Sequence, residues 1–287
     1  MFELPDAGSP ETIADWIELE LASGTDQISK SKVSSVIEAQ TGSEPSEAFL
    51  SDIWRHLGYR QSRYSRPFFR CDEDLVVRTL VGDAPKEYIA CLLFSVFGVS
   101  EEHRTDPKVF ERLVALAIQK YLHGKAFVFG WPVLPSVQTD IALRVQDVAA
   151  ASRERFIEAP PLRYKDRGVD VIAWAPFEEH QGGDHRSGQV VILAQCAAGA
   201  NWRQKTGQLP HKAWNQYIHW ACEPLRGFAV PAVIPPELWH DVSKECDGVI
   251  FDRIRIVNLT EGDTDQDEEL SGQMEQWIAL ELNQYRD

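Results

Sequence analysis

The sequence predicts an α/β protein, a mixed β-sheet flanked by helices, preceded by a helical N-terminal module. The clearest evidence is the stretch 165–205, where two β-rich runs, GVDVIAW and QVVILAQC, are joined by the polar, glycine-rich EEHQGGDHRSG. Alternation in the first run and a short continuous apolar run in the second mark strands, and the loop between them marks an antiparallel pair. Upstream, KVFERLVALAIQKY carries apolar residues at helical spacing; downstream come the strand-like FAVPAVIP and the helix-like PELWHDVSKEC, which Pro235 and Pro236 start. Helix, strand, strand, helix, strand is the order of a mixed sheet with helices on its faces.

From Pro10 to about Val81 the pattern is helical. Ser9-Pro10-Glu11-Thr12 reads as a helix start, with proline in the first turn and an acid favourable to the helix dipole. Ile13, Trp16, Ile17, Leu19 and Leu21 favour one face. ISKSKVSSVIEAQ reads as a second helix and SEPSEAFLSDIWRHL as a third, capped by Ser43 or Ser46. PFFRCDEDLVVR reads as one or two short strands. Three helices followed by a β-hairpin is the element order of a winged helix. Inside this module Arg55, Arg60, Arg63, Arg66 and Arg70 occur without any acid between Arg55 and Arg70, interleaved with Tyr59, Tyr64, Phe68 and Phe69. Guanidiniums contact phosphates and rings stack on exposed bases, which makes the five arginines candidate nucleic-acid contacts. The competing reading is a solvated loop whose arginines pair with acids elsewhere.

Lys86 to Val99 is apolar nearly all round and too short to span a bilayer, as expected of a buried helix. The polar break Arg104 to Pro107 sets the domain organisation: 1–104 a helical module, 105–260 the sheet domain, 261–287 an acidic tail with an amphipathic helix. AFVFGWP reads as a strand and turn, Thr139 to Glu158 as an inserted helix, and HKAWNQYIHWA as a helix packed on the sheet. GVIFDRIRIVNLT reads as a strand pair or one long strand on which Asp252, Arg253 and Arg255 alternate. SGQMEQWIALELNQY closes the chain with Met274, Trp277, Ile278 and Leu282 on one face.

A net charge of −15 opposes a nucleic-acid role at first sight, but nine acids and one arginine after residue 260 account for −8 of it. A body of −7 is still acidic for a free-standing DNA binder, so a basic partner subunit is expected. Five cysteines without a C-x-x-C pair fit a reduced, cytoplasmic protein without disulfides or structural zinc. No signal peptide and no apolar run of about 20 residues is present, so no membrane association is expected. G-x-S-x-G, P-loop and dinucleotide-binding glycine patterns are absent, which argues against several other α/β enzymes.

Asp170 and Gln195 fall on the two adjacent strands, at the edge of an apolar core. A carboxylate beside an amide oxygen is a natural seat for a hard divalent cation. Gly168-Val169-Asp170, Gln195-Cys196-Ala197 and Phe110-Glu111-Arg112-Leu113 together resemble the PD-(D/E)XK nuclease superfamily, Mrr-like restriction-endonuclease branch, over roughly Val109 to Thr260. The resemblance implies a restriction-endonuclease-like core and Mg²⁺ (or Mn²⁺) held by Glu111, Asp170 and Gln195. It implies hydrolysis of phosphodiesters in nucleic acid, DNA in the first place, and suggests a bacterial antiviral-defence or DNA-processing complex. The family's lysine would fall at Ala197; Lys205, on the following helix, is the nearest replacement and Lys165 a weaker one. Glu154 and Glu158 are alternative sources of the helix acid. Glutamine in place of an acid weakens metal affinity, so the alternative is a catalytically inactive nuclease-like scaffold. His180 and His185, with Glu178, Glu179 and Asp184, sit in a glycine-rich loop without the firm spacing of zinc ligands.

Overall fold

In the computed structural model, which describes residues 2, 4, 7–80, 82–98, 106–130, 139–161, 167–177, 185–199, 201–263 and 267–285, the N-terminal module comprises six elements. They are α1 (Pro10–Ala22), β1 (Gln27–Ser29), α2 (Lys30–Thr41), α3 (Glu47–Arg63), β2 (Phe69–Cys71) and β3 (Leu75–Arg78). Side-chain caps start all three helices: Ser9 Oγ accepts from the Thr12 N–H, Ser29 Oγ from Lys32 and Ser46 Oγ from Phe49. On α3 the buried Leu50, Ile53, Trp54 and Leu57 recur at helical spacing. The hairpin β2–β3 is joined by β1 on its β3 side, making a three-stranded antiparallel sheet in the order β1-β3-β2.

α4 (Lys86–Phe97) follows, apolar on nearly every side, and bridges the module to the rest of the chain. Next come α5 (Asp106–Leu122), β4 (Lys125–Val128), α6 (Ile141–Ala151), β5 (Arg155–Phe156), β6 (Val171–Ala175) and β7 (Val190–Cys196). The chain ends with α7 (Trp202–Lys205), a 3₁₀ turn at His211–Gln216, β8 (Ile218–His219), β9 (Leu225–Ala229), α8 (Pro236–Cys246), β10 (Val249–Phe251), α9 (Arg253–Thr260) and α10 (Glu268–Tyr285). The main sheet is mixed, in the order β10-β9-β7-β6-β4, with β4, β6 and β7 antiparallel and β7, β9 and β10 parallel. Alternation along the strands divides the side chains between the two faces. Val171, Ala173, Ile192 and Ala194 join one core with α5, α9 and the N-terminal helices. Ile172, Trp174, Val191 and Leu193 join another with α6 and Trp214. α8 covers the opposite side of β9 and β10 through Phe228, Val242 and Ile250.

The largest core is continuous across residue 104, running from Trp16 and Phe94 through Phe110 to Val171, Ile192 and Trp277. Phe94 stacks on Trp277 of α10 with centroids 4.2 Å apart and tilts against Phe110 at 5.5 Å. Among the described residues no helix is long and apolar enough to cross a membrane.

Four segments depart from the sequence pattern: Thr139 to Glu158 is helical only over Ile141–Ala151 and goes on to β5, and in FAVPAVIP the strand ends at Ala229. HKAWNQYIHWA is a 3₁₀ turn followed by a two-residue strand pairing β5, not a helix. GVIFDRIRIVNLT changes from strand to helix at Asp252, whose Oδ1 accepts from the Arg255 N–H at 3.1 Å and caps α9. The β-branched IRIV run favours a strand, but the cap and the partners awaiting Arg253 outweigh that preference.

Those partners form a buried ionic quartet. Asp15 and Glu18 of α1 face Arg60 of α3 and Arg253 of α9; Arg60 is 1% and Arg253 0% exposed. Arg60 Nη1 lies 2.7 Å from Asp15 Oδ1 and 2.6 Å from Glu18 Oε1, while Arg253 Nη2 lies 2.6 Å from Asp15 Oδ1. Arg253 Nε also donates to the Tyr64 hydroxyl at 3.0 Å, and Ser95 of α4 donates to Asp15. Burial pushes the Asp15 carboxyl up, but Arg253 and Arg60 more than offset it and hold the group below its ordinary value. At Glu18 burial prevails over the same two cations, and its carboxyl is held above the ordinary range. Replacing Arg253 by Met leaves buried carboxylates short of a countercharge and is expected to destabilise the fold by about 3–5 kcal/mol. Urea unfolding measures this; a loss under about 1 kcal/mol, the ordinary range for exposed pairs, would show the quartet to be dispensable.

Candidate functional site

The apolar face of α5, with Phe110, Leu113, Val114, Ala117 and Ile118 buried, lies on the main sheet and carries Glu111 to the end of β6. Asp170 immediately precedes β6. Its N–H donates to the Ala194 carbonyl at 2.9 Å, and its own carbonyl accepts from the N–H groups of Phe129 (2.6 Å) and Gly130 (2.9 Å). Asp170 is therefore gripped by the backbone on both sides. Its Oδ2 accepts from the Cys196 N–H at 2.7 Å. Its Oδ1 faces Glu111 across Gly130. A Cβ at Gly130 would lie 2.5 Å from Glu111 Oε2 and 2.8 Å from Asp170 Oδ1, so a side chain there would have to push both carboxylates aside.

One turn before Glu111, Lys108 donates to Glu111 Oε2 at 2.5 Å; Lys108 is 4% and Glu111 5% exposed. Two carboxylates and one ammonium thus share a site largely removed from water, where their interaction is stronger than at the surface. The Cys196 thiol adjoins them, and its pKa is pushed well above the ordinary range by burial and then by the charges of Asp170 and Glu111. It stays protonated near neutral pH and is unsuited to act as a thiolate nucleophile. Beside Gly130, Arg144 of α6 lies over the Phe129 ring at 4.4 Å and donates to the carbonyls of Val128 (3.2 Å) and Phe129 (3.0 Å), anchoring α6 to the end of β4.

The structure brings Glu111 and Asp170 together and leaves the other two residues of the expected set apart. Strand alternation puts Gln195 on the face of Val191 and Leu193. Its Nε2 is 3.6 Å from the place a Cβ would take at Gly168, and its Oε1 is buried without a hydrogen-bond partner. No hydrogen bond joins Gln195 to either carboxylate among the described residues. Lys205 is half-buried at the end of α7 and forms no ion pair with them. Lys165, Glu178, Glu179, His180 and Asp184 lie outside the described residues; His185 is exposed. Glu154 is committed to the fold, accepting from the N–H groups of Gly188 (2.9 Å) and Ala221 (3.0 Å), and Glu158 is exposed. Lys108 is the residue that motif matching overlooks. Its signal was the K-x-x-E spacing, which sets two side chains on one helical face.

The arginine-rich segment also divides. Arg60 points inward to the quartet, which removes it from any phosphate-binding surface. Tyr64, Phe68 and Phe69 are buried with Tyr88 in edge-to-face contacts, so they are core residues and not stacking platforms. Arg55, Arg63, Arg66 and Arg70 are exposed. Arg55 approaches Asp52 and Glu237, and Arg70 pairs with Asp72.

No protein-family model, curated protein or solved structure matches the chain.

Gly130→Ala tests the convergence of the carboxylates. The added methyl collides with both side chains and is expected to cost about 1–3 kcal/mol, read as a lowered Tm. An unchanged Tm would mean that the two carboxylates move aside without cost to the fold.

Proposed function

We propose that the chain is a metal-dependent nuclease that hydrolyses phosphodiesters in nucleic acid, DNA in the first place. The observation that carries this reading is the convergence of Glu111 and Asp170 on the space beside Gly130, at the ends of adjacent elements, with the Lys108 ammonium alongside. Two carboxylate oxygens facing one point are a donor set suited to Mg²⁺ or Mn²⁺. Such an ion, when bound, stabilises developing oxyanion charge and lowers the pKa of an attacking water. Glu111 and Asp170 would hold it. The Cys196 N–H fixes the Asp170 carboxylate, and Gly130 leaves room for both acids. Lys108 takes the lysine role that Ala197 cannot fill, offsetting negative charge at the scissile phosphate.

The N-terminal module supports a nucleic-acid partner through its order of helix, strand, two helices and hairpin, the order of a winged helix. Arg55, Arg63, Arg66 and Arg70 are its exposed cations in the arginine-rich segment. A bacterial defence or DNA-processing assembly with a basic partner subunit remains the setting this reading expects.

A second reading is favoured by one specific contact. Lys108 binds Oε2 of Glu111, the oxygen that faces Asp170. A cation would have to displace the ammonium from it. With Gln195 and Lys205 apart, an ion-paired and silent site on a binding scaffold accounts for the same geometry.

Cleavage of plasmid and single-stranded DNA at low salt with Mg²⁺ or Mn²⁺ separates the two. The nuclease reading expects cutting by the wild type and a loss of about 10²–10³-fold in Asp170→Ala, Glu111→Gln and Lys108→Ala, as for removal of a charge-stabilising group. Lys205→Ala run beside them decides between the lysines. No cutting by the wild type, alone or with co-purifying partners, would leave the scaffold.

A further inference from the structure

A second cluster of metal-ligating side chains lies far from Asp170 in the chain, where the N-terminal module meets α8. Glu11 comes from α1, His56 from α3 and Glu237 from the first turn of α8. One ligand atom of each lies within 4.8 Å of the other two. His56 is only 4% exposed, and among the described residues its ring makes no hydrogen bond; its ion-pair contact there, Nε2 to Glu11 Oε1 at 3.6 Å, is longer than a hydrogen bond. The His56 imidazole thus stands beside two carboxylates from two other helices, the mixed nitrogen and oxygen donor set of a transition-metal site.

We infer that Glu11, His56 and Glu237 form a binding site for a divalent cation of the zinc class, which ties α1 and α3 to α8. Imidazole with carboxylates suits zinc, whereas magnesium takes oxygen ligands almost alone. Ligand atoms around a tetrahedral zinc sit about 3.4 Å apart, so the cluster contracts by about an ångström on binding. Glu237, exposed and at the end of a flexible side chain, supplies that movement. Ser9 Oγ holds Glu11 Oε2 at 2.6 Å and turns Oε1 toward His56. The opposing groups are Arg55, whose Nη1 lies 3.4 Å from Glu237 Oε1 and competes with the cation for that carboxylate, and Arg60, whose Nη2 donates to the Glu11 carbonyl at 3.1 Å.

The test is zinc titration of the metal-stripped full chain, by calorimetry and by competition with a chromophoric chelator. One equivalent is expected to bind and to raise Tm. Glu237→Gln and His56→Gln should each weaken binding by at least about tenfold, the lower end seen when even an outer-shell partner of a metal is lost. Arg55→Ala should bind zinc more tightly. Asp170→Ala should bind this equivalent as the wild type does, which keeps the outcome separate from that of the nuclease reading. If His56→Gln fails to fold, Glu237→Gln, at an exposed position, decides. Absence of zinc binding by the wild type, or affinity unchanged in Glu237→Gln, overturns the inference.

Discussion

Four charged side chains removed from water set the terms for the rest of this molecule. Asp15, Glu18, Arg60 and Arg253 come from α1, α3 and α9, the last of which is far from the other two in sequence. An isolated charge in such a place is untenable, and a pair is a poor substitute for apolar packing unless its geometry is well satisfied. Here Asp15 takes both guanidiniums and the Ser95 hydroxyl, and Arg253 adds the Tyr64 hydroxyl. The arrangement specifies how the N-terminal helices sit on the sheet, because apolar surfaces alone would tolerate sliding. That is why the core runs without interruption across a sequence boundary that composition alone suggests.

The same economy of charge governs the candidate site. Each carboxylate has a defined partner: Asp170 the Cys196 N–H, Glu111 the Lys108 ammonium. Gly130 sets the distance between them by having no side chain. The quartet sets two carboxylates against two guanidiniums, whereas Lys108 is bound to Glu111 alone of the two acids beside Gly130.

The elements that could be read from the sequence were those whose signals are local. Ser9 and Ser46 cap the helices they appear to cap, and GVDVIAW and QVVILAQC pair antiparallel around their glycine-rich loop. Glu111 and Asp170 could be named because each sits in a short motif. What escaped was decided at long range. The IRIV run after Asp252 is helical because Arg253 meets α1, more than two hundred residues earlier, and Arg60 turns inward for the same reason. Gln195 is separated from Asp170 by the side a strand presents, which a motif does not encode. The contact of Lys108 with Glu111 beside Asp170 needed the position of α5 over the sheet. His56 and Glu237 could not be joined by any pattern in one dimension.

The order of synthesis gives Arg253 a further meaning. The chain emerges with Asp15 and Glu18 first, and Arg60 follows within a few tens of residues. Arg253 arrives nearly two hundred residues after Arg60, and Trp277, which covers Phe94, later still. Until then the early helices hold two acids against one guanidinium and an uncovered aromatic surface on α4. The nascent N-terminal module therefore has neither its full countercharge nor its apolar cover, and its final packing waits for residues 253–277 to leave the ribosome.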